Sequence, residues 1–380
     1  MAKKEKKGLL SESQLRRKYP TSNLGSIIAV NNKSSIRIPS RILSLNYQLN
    51  GGLGYGKILE LFGPESSGKS LLAIDFAYCT QQLGGMVLWD DSENAFDGFW
   101  MQQNGIDLNQ LELLEEQVAI EVISDWILDM GRYWRTKLTK NEPILFVLDS
   151  LAALTSKDLE GMSQIDKKEE MGKRAKKIGD FLRERNMEFK RLGIAVILIN
   201  QLRKKVGATR YEDPDVTPGG QATKFYASQR LSVWGGKSIK IRKKGEKISI
   251  GKHVYLTTKK DKTGPPRPRT ETEVIFEKVS GRDIGFDKYI GLPELLVKTG
   301  VLDRQKGSSK YYYKGSMVAR GEDSLLEKLR EDEEFRKKMI LKSGINTISR
   351  TRKKLEAIDY NMFPVKLLNK KKQSEEETDE

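Results

Sequence analysis

The chain has 380 residues, and its 68 lysines and arginines against 52 acidic residues give a formal net charge of +16. This length accommodates an α/β core with smaller attached pieces, and the basic excess favours a polyanionic partner over a merely solvated basic face. A single cysteine and a single histidine exclude an internal disulfide, a Cys/His metal cluster and histidine-based catalytic triads. No apolar run approaches the roughly 20 residues of a membrane span, and no signal peptide is evident, so we expect a cytoplasmic protein.

The first 34 residues are polar and basic, with helical periodicity from Leu9 to Tyr19, and they predict an N-terminal arm. From residue 35 onward, short apolar runs alternate with longer helical stretches, which is typical of a parallel sheet with crossover helices. Each of the four main runs is followed by Gly, Asp or Asn, at the carboxyl end where ligands bind in such sheets. These runs are Ile58–Phe62, Met86–Trp89, Ile144–Leu148 and Ile194–Ile199.

After residue 220 the sequence becomes β-rich, and the strands Arg230–Trp234, Val254–Thr258 and Glu273–Phe276 are predicted to form hairpins that extend the sheet antiparallel. Helical composition then returns, with a small β-like piece at Tyr311–Tyr313. The predicted fold is therefore α/β, with a mostly parallel twisted sheet and an antiparallel extension. We expect an arm at 1–34, a core at 35–285, a small α/β domain at 286–365 and a disordered basic-then-acidic tail at 366–380.

The strongest motif is Gly63-Pro64-Glu65-Ser66-Ser67-Gly68-Lys69-Ser70, which fits GxxxxGK[ST] between a predicted strand and the predicted helix Leu71–Cys79. Its glycines allow backbone N–H groups to surround phosphates, and the helix N-terminus adds a favourable field. Lys69 is expected to reach the β- and γ-phosphates of ATP, and the Ser70 hydroxyl is expected to bind Mg²⁺. The sole cysteine, Cys79, falls among apolar helix residues and is expected to be a buried thiol rather than a reactive one.

Carboxylates follow the second and third predicted strands. Asp149 can order the magnesium shell through water, although it could instead cap a following helix. Glu93 can polarise the water that attacks the γ-phosphate. Asp90 and Asp91 fit that same role by their spacing alone, so the sequence pattern leaves three candidate bases.

Asn200 and Gln201 end the fourth strand, where an amide can bind the γ-phosphate and transmit its presence to the next segment. That segment, residues 202–219, is long, polar and basic. We expect a mobile DNA-contacting loop, with an ordinary surface loop as the alternative.

Taken together, these motifs resemble those of RecA-type homologous recombinases, and the divergent ends are compatible with a phage-encoded member. The resemblance extends from about Ile38 to Gly321. Besides the phosphate-binding motif, it rests on Leu148–Leu154, Ile199–Arg203 and Gly219–Ser228.

The resemblance implies roles for individual residues at the nucleotide site. It selects Glu93 as the catalytic base, because Asp91–Asp97 falls on the family's corresponding acidic run. It adds Asp97 and Trp100 to the nucleotide site, with Trp100 stacking on adenine, and keeps Gln201 as the γ-phosphate sensor.

Further residues are implied at a subunit interface. The resemblance places Lys260 and Lys262 where the family supplies two lysines to the γ-phosphate of a neighbouring subunit. Lys224, Phe225 and Arg230 would lie at or near the same interface. Each ATP site would then be completed only by the next copy of the chain.

The resemblance also implies two DNA-binding loops, at about 158–172 and 202–219, that line the axis of a helical filament. In the second loop, Ala208–Tyr211 stands where the family has an apolar wedge, and Tyr211 could stack on a base. The residues implied to contact DNA are Arg203, Lys204, Lys205, Arg210, Tyr211, Gly219 and Gly220.

The implied protein is a DNA-dependent ATPase that assembles on single-stranded DNA, pairs it with homologous duplex and exchanges strands. Loader or single-strand-binding proteins are further possible partners. A ring-shaped helicase and an ATP-clipped DNA-coating protein are the alternatives, since one fold supports several functions.

Overall fold

The computed structural model describes residues 36–115, 118–154, 167–204, 215–216, 220–243, 246–265, 267, 269–279 and 282–343. The helices are α1 (Leu43–Gln48), α2 (Lys69–Gln82), α3 (Gly98–Gln103), α4 (Ile120–Lys137), α5 (Lys167–Leu192), α6 (Gly220–Tyr226), α7 (Leu292–Lys298), α8 (Glu322–Glu331) and α9 (Glu333–Ser343). The strands are β1 (Arg37–Ile38), β2 (Leu53–Gly54), β3 (Ile58–Gly63), β4 (Met86–Asp90), β5 (Leu111–Leu114), β6 (Ile144–Leu148), β7 (Ile194–Gln201), β8 (Arg203–Lys204), β9 (Asp215–Val216), β10 (Gln229–Lys243), β11 (Glu246–Asp261), β12 (Arg269–Ile275), β13 (Gly285–Phe286), β14 (Lys310–Tyr313) and β15 (Ser316–Arg320). None of the described helices has the length and apolar character needed to cross a membrane.

A nine-stranded sheet in the order β13-β12-β11-β10-β3-β7-β6-β4-β5 organises the fold. The four predicted parallel strands β3, β7, β6 and β4 are contiguous within it, and all are parallel. The predicted α/β class, with a mostly parallel sheet and an antiparallel extension, is therefore confirmed.

The antiparallel extension begins one strand later than predicted. β10 pairs parallel with β3, with Gln229 opposite Leu59, and antiparallel with β11. The physical reason is the helix α6 between β7 and β10, because a crossover helix returns the chain to the starting edge of the sheet and permits parallel pairing. Within this sheet, antiparallel pairing is confined to β10–β11, β11–β12 and β12–β13.

Alternating side chains of the parallel strands enter two cores on opposite faces of the sheet. In β6, Leu145 and Val147 belong to one core, while Ile144, Phe146 and Leu148 belong to the other. The first core is covered by α2 and the second by α4 and α5. In α4, buried Ile120, Ile123 and Ile127 recur at helical spacing and form its inward stripe. The sheet is thus buried on both faces.

The region from Leu292 to Ser343 packs around a third apolar cluster, which includes Leu296, Tyr311 and Leu329. Its β-like piece is β14, paired antiparallel with β15. Leu43 of α1 also belongs to this cluster. The domain boundaries stay a prediction, and the predicted arm and tail lie outside the described residues.

Two segments differ from the predicted loops. Helix α5 begins at Lys167, within the predicted loop 158–172, since a run of lysine and glutamate favours helix over loop. Within the predicted loop 202–219, the backbone at Arg203–Lys204 pairs with Asp215–Val216 as a short antiparallel ladder.

Candidate active site

The loop from Gly63 to Ser70 joins β3 to α2, and it lies at the mouth of a cleft of about 280 Å³. At Gly63 a Cβ atom would lie 2.0 Å from the Val233 carbonyl oxygen, so no larger residue fits. Gly68 has a φ of +105°, a conformation that L residues rarely adopt. These two glycines therefore permit the loop geometry. The cleft is lined by Glu65, Ser66, Ser67, Gly68, Lys69, Ser70, Leu71, Glu93, Trp100, Asp149, Ile199, Gln201, Lys252, Val274 and Phe276.

Lys69 is the buried cation of this loop. Its Nζ donates hydrogen bonds to the carbonyl oxygens of Gly63 at 3.1 Å and of Pro64 at 2.6 Å. Burial lowers the pKa of Lys69, and the nearby carboxylates of Asp149 and Glu93 oppose that shift. A buried ammonium beside a glycine loop and a helix N-terminus forms a binding place for phosphate.

Asp149 lies beside the start of α2, where the Ser70 hydroxyl donates a hydrogen bond to its carboxyl group. Burial raises the pKa of Asp149 to about 7, although the bond from Ser70 and the charge of Lys69 lower it. Its Oδ1 atom is buried and has no partner among the described residues. A carboxylate oxygen and a hydroxyl are ligands that suit Mg²⁺. Residues 151–153 form a turn, which does not favour the alternative role of a helix cap.

Glu93 is held over the cleft by donors from two other strand ends. Gln201 Nε2 donates to Glu93 Oε1 at 2.9 Å, and the Ser150 hydroxyl donates to the same oxygen. No described residue donates to Oε2, the second carboxylate oxygen. This arrangement orients the carboxylate and leaves one oxygen available to a reactant.

The two rival carboxylates are engaged elsewhere. Asp90 is fully buried, accepts a 2.6 Å hydrogen bond from the Ser92 hydroxyl, and has its pKa raised to about 7 by burial. Asp91 accepts from the backbone N–H groups of Ala95 and Phe96 at 3.0 and 2.8 Å. Both shape the loop that presents Glu93, and neither lines the cleft.

The two residues that end β7 point to different places. Asn200 is buried and its Nδ2 donates to Glu60 Oε1 at 3.0 Å, beneath the cleft. Gln201 lines the cleft and contacts Glu93. Of the two candidate amides, the geometry favours Gln201 as the one that meets a nucleotide.

Trp100 lines the cleft from α3, whose N-terminus is capped by Asp97. The Asp97 Oδ1 atom accepts from the N–H groups of Phe99 at 2.9 Å and of Trp100 at 3.0 Å. Asp97 is not among the cleft residues, so in this structure it positions the helix that carries Trp100.

The sequence patterns missed two residues of the cleft, Lys252 of β11 and Phe276 after β12. Lys252 Nζ donates to the Ser66 carbonyl oxygen and lies 5.9 Å from the centroid of the Phe276 ring. Burial lowers the pKa of Lys252. No local motif marks either residue, because only the pairing of β10, β11 and β12 brings them beside the loop.

The five predicted interface residues lie together on another surface. Lys260 Nζ donates to the carbonyl oxygens of Lys224 and Phe225, and Lys262 Nζ lies 5.5 Å from the centroid of the Phe225 ring. Arg230 is opposite Lys260 in the ladder and donates to Glu60. Phe225 is 67% exposed.

This surface lies toward the amino ends of the parallel strands, whereas the cleft lies at their carboxyl ends. Arg230 is level with Glu60, and Ser228, which bonds the backbone N–H of Lys262, is level with Ile58. At about 3.3 Å per residue, Lys260 and Lys262 lie about 10 Å and about 17 Å behind Gly63 along the strands. Neither lysine lines the cleft of its own chain.

Few of the predicted DNA-contacting residues can be placed. Arg203 and Lys204 form β8 directly after Gln201, and Gly220 begins α6 with a φ of +57°. The remaining ones, Lys205, Arg210, Tyr211 and Gly219, lie outside the described residues, as does most of the predicted first loop.

The fold and the loop geometry define an α/β protein of the P-loop class. Comparison with known proteins narrows this class. The family model for the RecA N-terminal domain matches residues 12–280. The chain is 31% identical to Protein RecA of a Synechocystis strain over 82% of both chains, and 31% identical to that of Gloeothece citriformis over 87% of this chain and 86% of the relative. Protein RecA of Trichodesmium erythraeum is 30% identical over 88% of both.

The chain therefore belongs to the RecA family. This membership supports a recombinase role in DNA repair, with ATP and DNA as the molecules bound.

Proposed function

We propose that the chain is a DNA-dependent ATPase that forms helical filaments on single-stranded DNA and catalyses pairing and strand exchange with homologous duplex. One observation carries the proposal. The cleft brings Lys69, Glu93 and Gln201 together, whereas Lys260 and Lys262 lie about 10 Å and about 17 Å behind Gly63 along the strands. A second copy that docks its Lys260 surface onto this cleft would complete the site, which couples hydrolysis to assembly.

In the proposed reaction the loop Gly63–Ser70 and Lys69 hold the triphosphate of ATP. The Ser70 hydroxyl and Asp149 would hold Mg²⁺, which neutralises charge on the phosphate oxygens when bound. Trp100 and Phe276 line the same cleft and offer aromatic faces for the adenine.

Glu93 is the proposed general base. Its Oε1 atom is held by Gln201 and Ser150, so Oε2 would accept the proton of the water that attacks the γ-phosphate. The lysines of the neighbouring copy would stabilise the negative charge that develops on the phosphoryl oxygens.

The chain runs from Gln201 directly into β8, which carries Arg203 and Lys204, two proposed DNA contacts. A change in the Gln201–Glu93 hydrogen bond on nucleotide binding would therefore move the start of the DNA-binding segment. Binding along the DNA backbone predicts strong salt dependence, with a slope of about −0.7 per neutralised phosphate on single strands. An affinity indifferent to salt would count against this mechanism.

Electron microscopy tests the proposal directly. The full chain would be mixed with single-stranded DNA and a slowly hydrolysed ATP analogue, and helical filaments are expected. A labelled homologous duplex should then exchange a strand, while a heterologous duplex serves as control. Rings that unwind a forked duplex would indicate a helicase instead, and coating without ATP turnover would indicate a structural DNA-binding protein.

A further inference from the structure

A second cleft, of about 450 Å³, shares no lining residue with the nucleotide cleft. Its walls come from the segment before α1, from α2, from the end of α3, from the chain on either side of β13 and from α8. Basic side chains outnumber acidic ones along these walls. The basic residues are Arg41, Lys278, Arg282, Lys288 and Arg330, and the acidic residues are Asp283 and Asp287.

Arg41 is fixed in one wall of this second cleft. Its side chain is 11% exposed, and Nε donates a 2.6 Å hydrogen bond to Oδ1 of Asp75 in α2. Nη1 donates to the carbonyl oxygen of Asn104 at 3.3 Å, and the guanidinium lies 4.4 Å from the centroid of the Tyr78 ring. Nη2 is buried and has no acceptor among the described residues. The guanidinium is therefore held in place with donor capacity left over.

The two acidic residues of the second cleft are already engaged. Asp287 Oδ2 accepts from Arg282 Nε at 3.0 Å and from Arg330 Nη2 at 2.9 Å. Its Oδ1 atom accepts from two backbone N–H groups. Asp283 is 75% exposed and lies 4.0 Å from the ammonium of Lys278. One carboxylate thus serves two guanidinium groups, and neither acid is left to neutralise a further cation.

Lys288 is the cation that remains unpaired. Its side chain is half-buried, and its ammonium forms no hydrogen bond or ion pair with any described residue. Burial lowers the pKa of Lys288, and repulsion from Arg41 lowers it further. The charges of Asp283, Asp75 and Asp287 oppose this shift without contacting the ammonium. Burial of a cation without a partner is unfavourable, so an anion in the cleft would stabilise the charged lysine.

We propose that the second cleft binds a small phosphate-bearing anion through Lys288 and Arg41, with Arg282 and Arg330 as further donors. A phosphate group presents at least three oxygens in a tetrahedral arrangement, so it can accept from several cations at once, whereas a carboxylate presents two oxygens in a plane. Guanidinium groups match the geometry of phosphate oxygens, and a lysine supplies a point charge.

The site is distinct from the one proposed to hold ATP. At about 450 Å³ the second cleft is larger than the nucleotide cleft of about 280 Å³, which leaves room for more than one phosphate group. The inference does not depend on the proposed function, because none of its four cationic residues lines the nucleotide cleft.

Lys288 is the residue to replace, because its ammonium has no partner in the fold. Arg41 and Arg282, in contrast, form ion pairs with the largely buried carboxylates of Asp75 and Glu273. Lys288→Met removes a cation that is buried and repelled. Its Tm without ligand should therefore equal or exceed that of the parent protein, which separates loss of binding from loss of folding.

The parent for the test is the full chain with Lys69→Ala, so that the phosphate-binding loop contributes little to the binding of a phosphate probe. Lys288→Met and Lys298→Met would each be added to this parent, and Lys298, an exposed lysine of α7, is the matched control. Isothermal titration calorimetry without Mg²⁺ would measure binding of inorganic pyrophosphate. Succinate at equal ionic strength is the carboxylate probe.

We expect pyrophosphate to bind the parent, Lys288→Met to weaken that binding by about tenfold through loss of one charged contact, and Lys298→Met to leave it unchanged. Succinate should bind more weakly than pyrophosphate. Pyrophosphate should also raise the Tm of the parent and of the Lys298→Met control by more than that of Lys288→Met, because a ligand that binds only the folded state stabilises it.

Equal pyrophosphate affinity in the parent and in Lys288→Met would overturn the inference. An equal loss in Lys298→Met, or equal affinity for succinate and pyrophosphate, would do the same. If Lys288→Met does not fold, Lys288→Arg and Lys288→Gln repeat the comparison. Lys288→Arg keeps the charge and should bind pyrophosphate as the parent does, whereas Lys288→Gln should not.

Discussion

Gln201 Nε2 donates a hydrogen bond to Glu93 Oε1 at 2.9 Å and thereby joins the end of β7 to the loop after β4. Ser150, which follows β6, donates to the same oxygen. Because β7, β6 and β4 are adjacent and parallel, their carboxyl ends meet at one edge of the sheet. Three neighbouring strand ends thus hold a single carboxylate over the cleft.

Glu93→Gln should preserve nucleotide and DNA binding and lower kcat for ATP hydrolysis by about 10²- to 10⁴-fold, because an amide cannot accept the proton. Titration with a fluorescent ATP analogue and a steady-state hydrolysis assay would measure the two effects. Asp91→Asn is the comparison variant, since Asp91 supports its loop through Ala95 and Phe96. Asp91→Asn should lower the Tm of the protein and leave kcat close to that of the wild type. Normal turnover in Glu93→Gln would assign the base to another carboxylate.

Lys260→Ala should suppress DNA-stimulated hydrolysis, because the proposed filament uses this lysine in the site of the neighbouring copy. Lys69→Ala should be inactive because its own phosphate site is lost. Mixing the two variants on single-stranded DNA creates some sites with an intact loop and an intact lysine, so part of the hydrolysis should return. If the mixture stays as inactive as the separate variants, the lysine does not act between subunits.

Lys252→Met should weaken ATP affinity by about tenfold, equivalent to about 1.4 kcal/mol, because the Ser66 carbonyl loses its donor and the cleft loses a cation. Lys298→Met, at an exposed lysine of α7, is the matched control. Equilibrium titration with a fluorescent nucleotide would measure both. An unchanged Kd in Lys252→Met would show that the loop keeps its geometry without this contact.

Asp90→Asn should stabilise the protein at both pH values, and by clearly more at pH 8 than at pH 5. Burial raises the pKa of Asp90 to about 7, so the folded state favours the protonated carboxyl. The stabilisation of the folded state by the protonated Asp90 carboxyl is fully present below the ordinary pKa of aspartate. It is lost as the pH rises through about 7. The gain in the free energy of unfolding at pH 8 should be at most about 4 kcal/mol, because each unit by which the pKa is raised corresponds to about 1.4 kcal/mol.

Thermal unfolding of wild type and Asp90→Asn at both pH values, without nucleotide, would measure this difference. Ser92→Ala is a useful comparison, because it removes the 2.6 Å hydrogen bond to Asp90 and leaves the titrating group in place. A stability gain of equal size at pH 5 and pH 8 would contradict the titration of Asp90.

Much of the fold followed from local sequence. The runs Ile58–Phe62 and Ile144–Leu148 are buried strands because they are short, continuously apolar and bounded by turn residues, and both are parallel members of the sheet. The position of β10 was harder to predict. Its sequence resembles that of any hairpin strand, and its parallel pairing with β3 depends on the crossover through α6.

In the candidate site, too, some features follow from local sequence and others depend on tertiary structure. The sequence by itself determined the loop Gly63–Ser70 with its following helix, because glycine placement and strand-to-helix context are local properties of the backbone. It also supplied three possible bases after β4. The tertiary structure separates the three geometrically, because it buries Asp90, engages Asp91 with backbone donors and holds Glu93 at the cleft with Gln201. This geometry supports the choice of Glu93 that the family resemblance implies.

The tertiary structure alone also brought Lys252 to the phosphate-binding loop and left Lys260 about 10 Å behind Gly63 along the strands. Both lysines lie on β11, eight positions apart, and the local strand pattern does not show how far along the sheet each one lies. The pairing of β11 with β10, and of β10 with β3, sets their levels along the sheet. Strand register is decided by packing between residues distant in sequence, which is why local patterns predicted the motif but not which lysine would meet it.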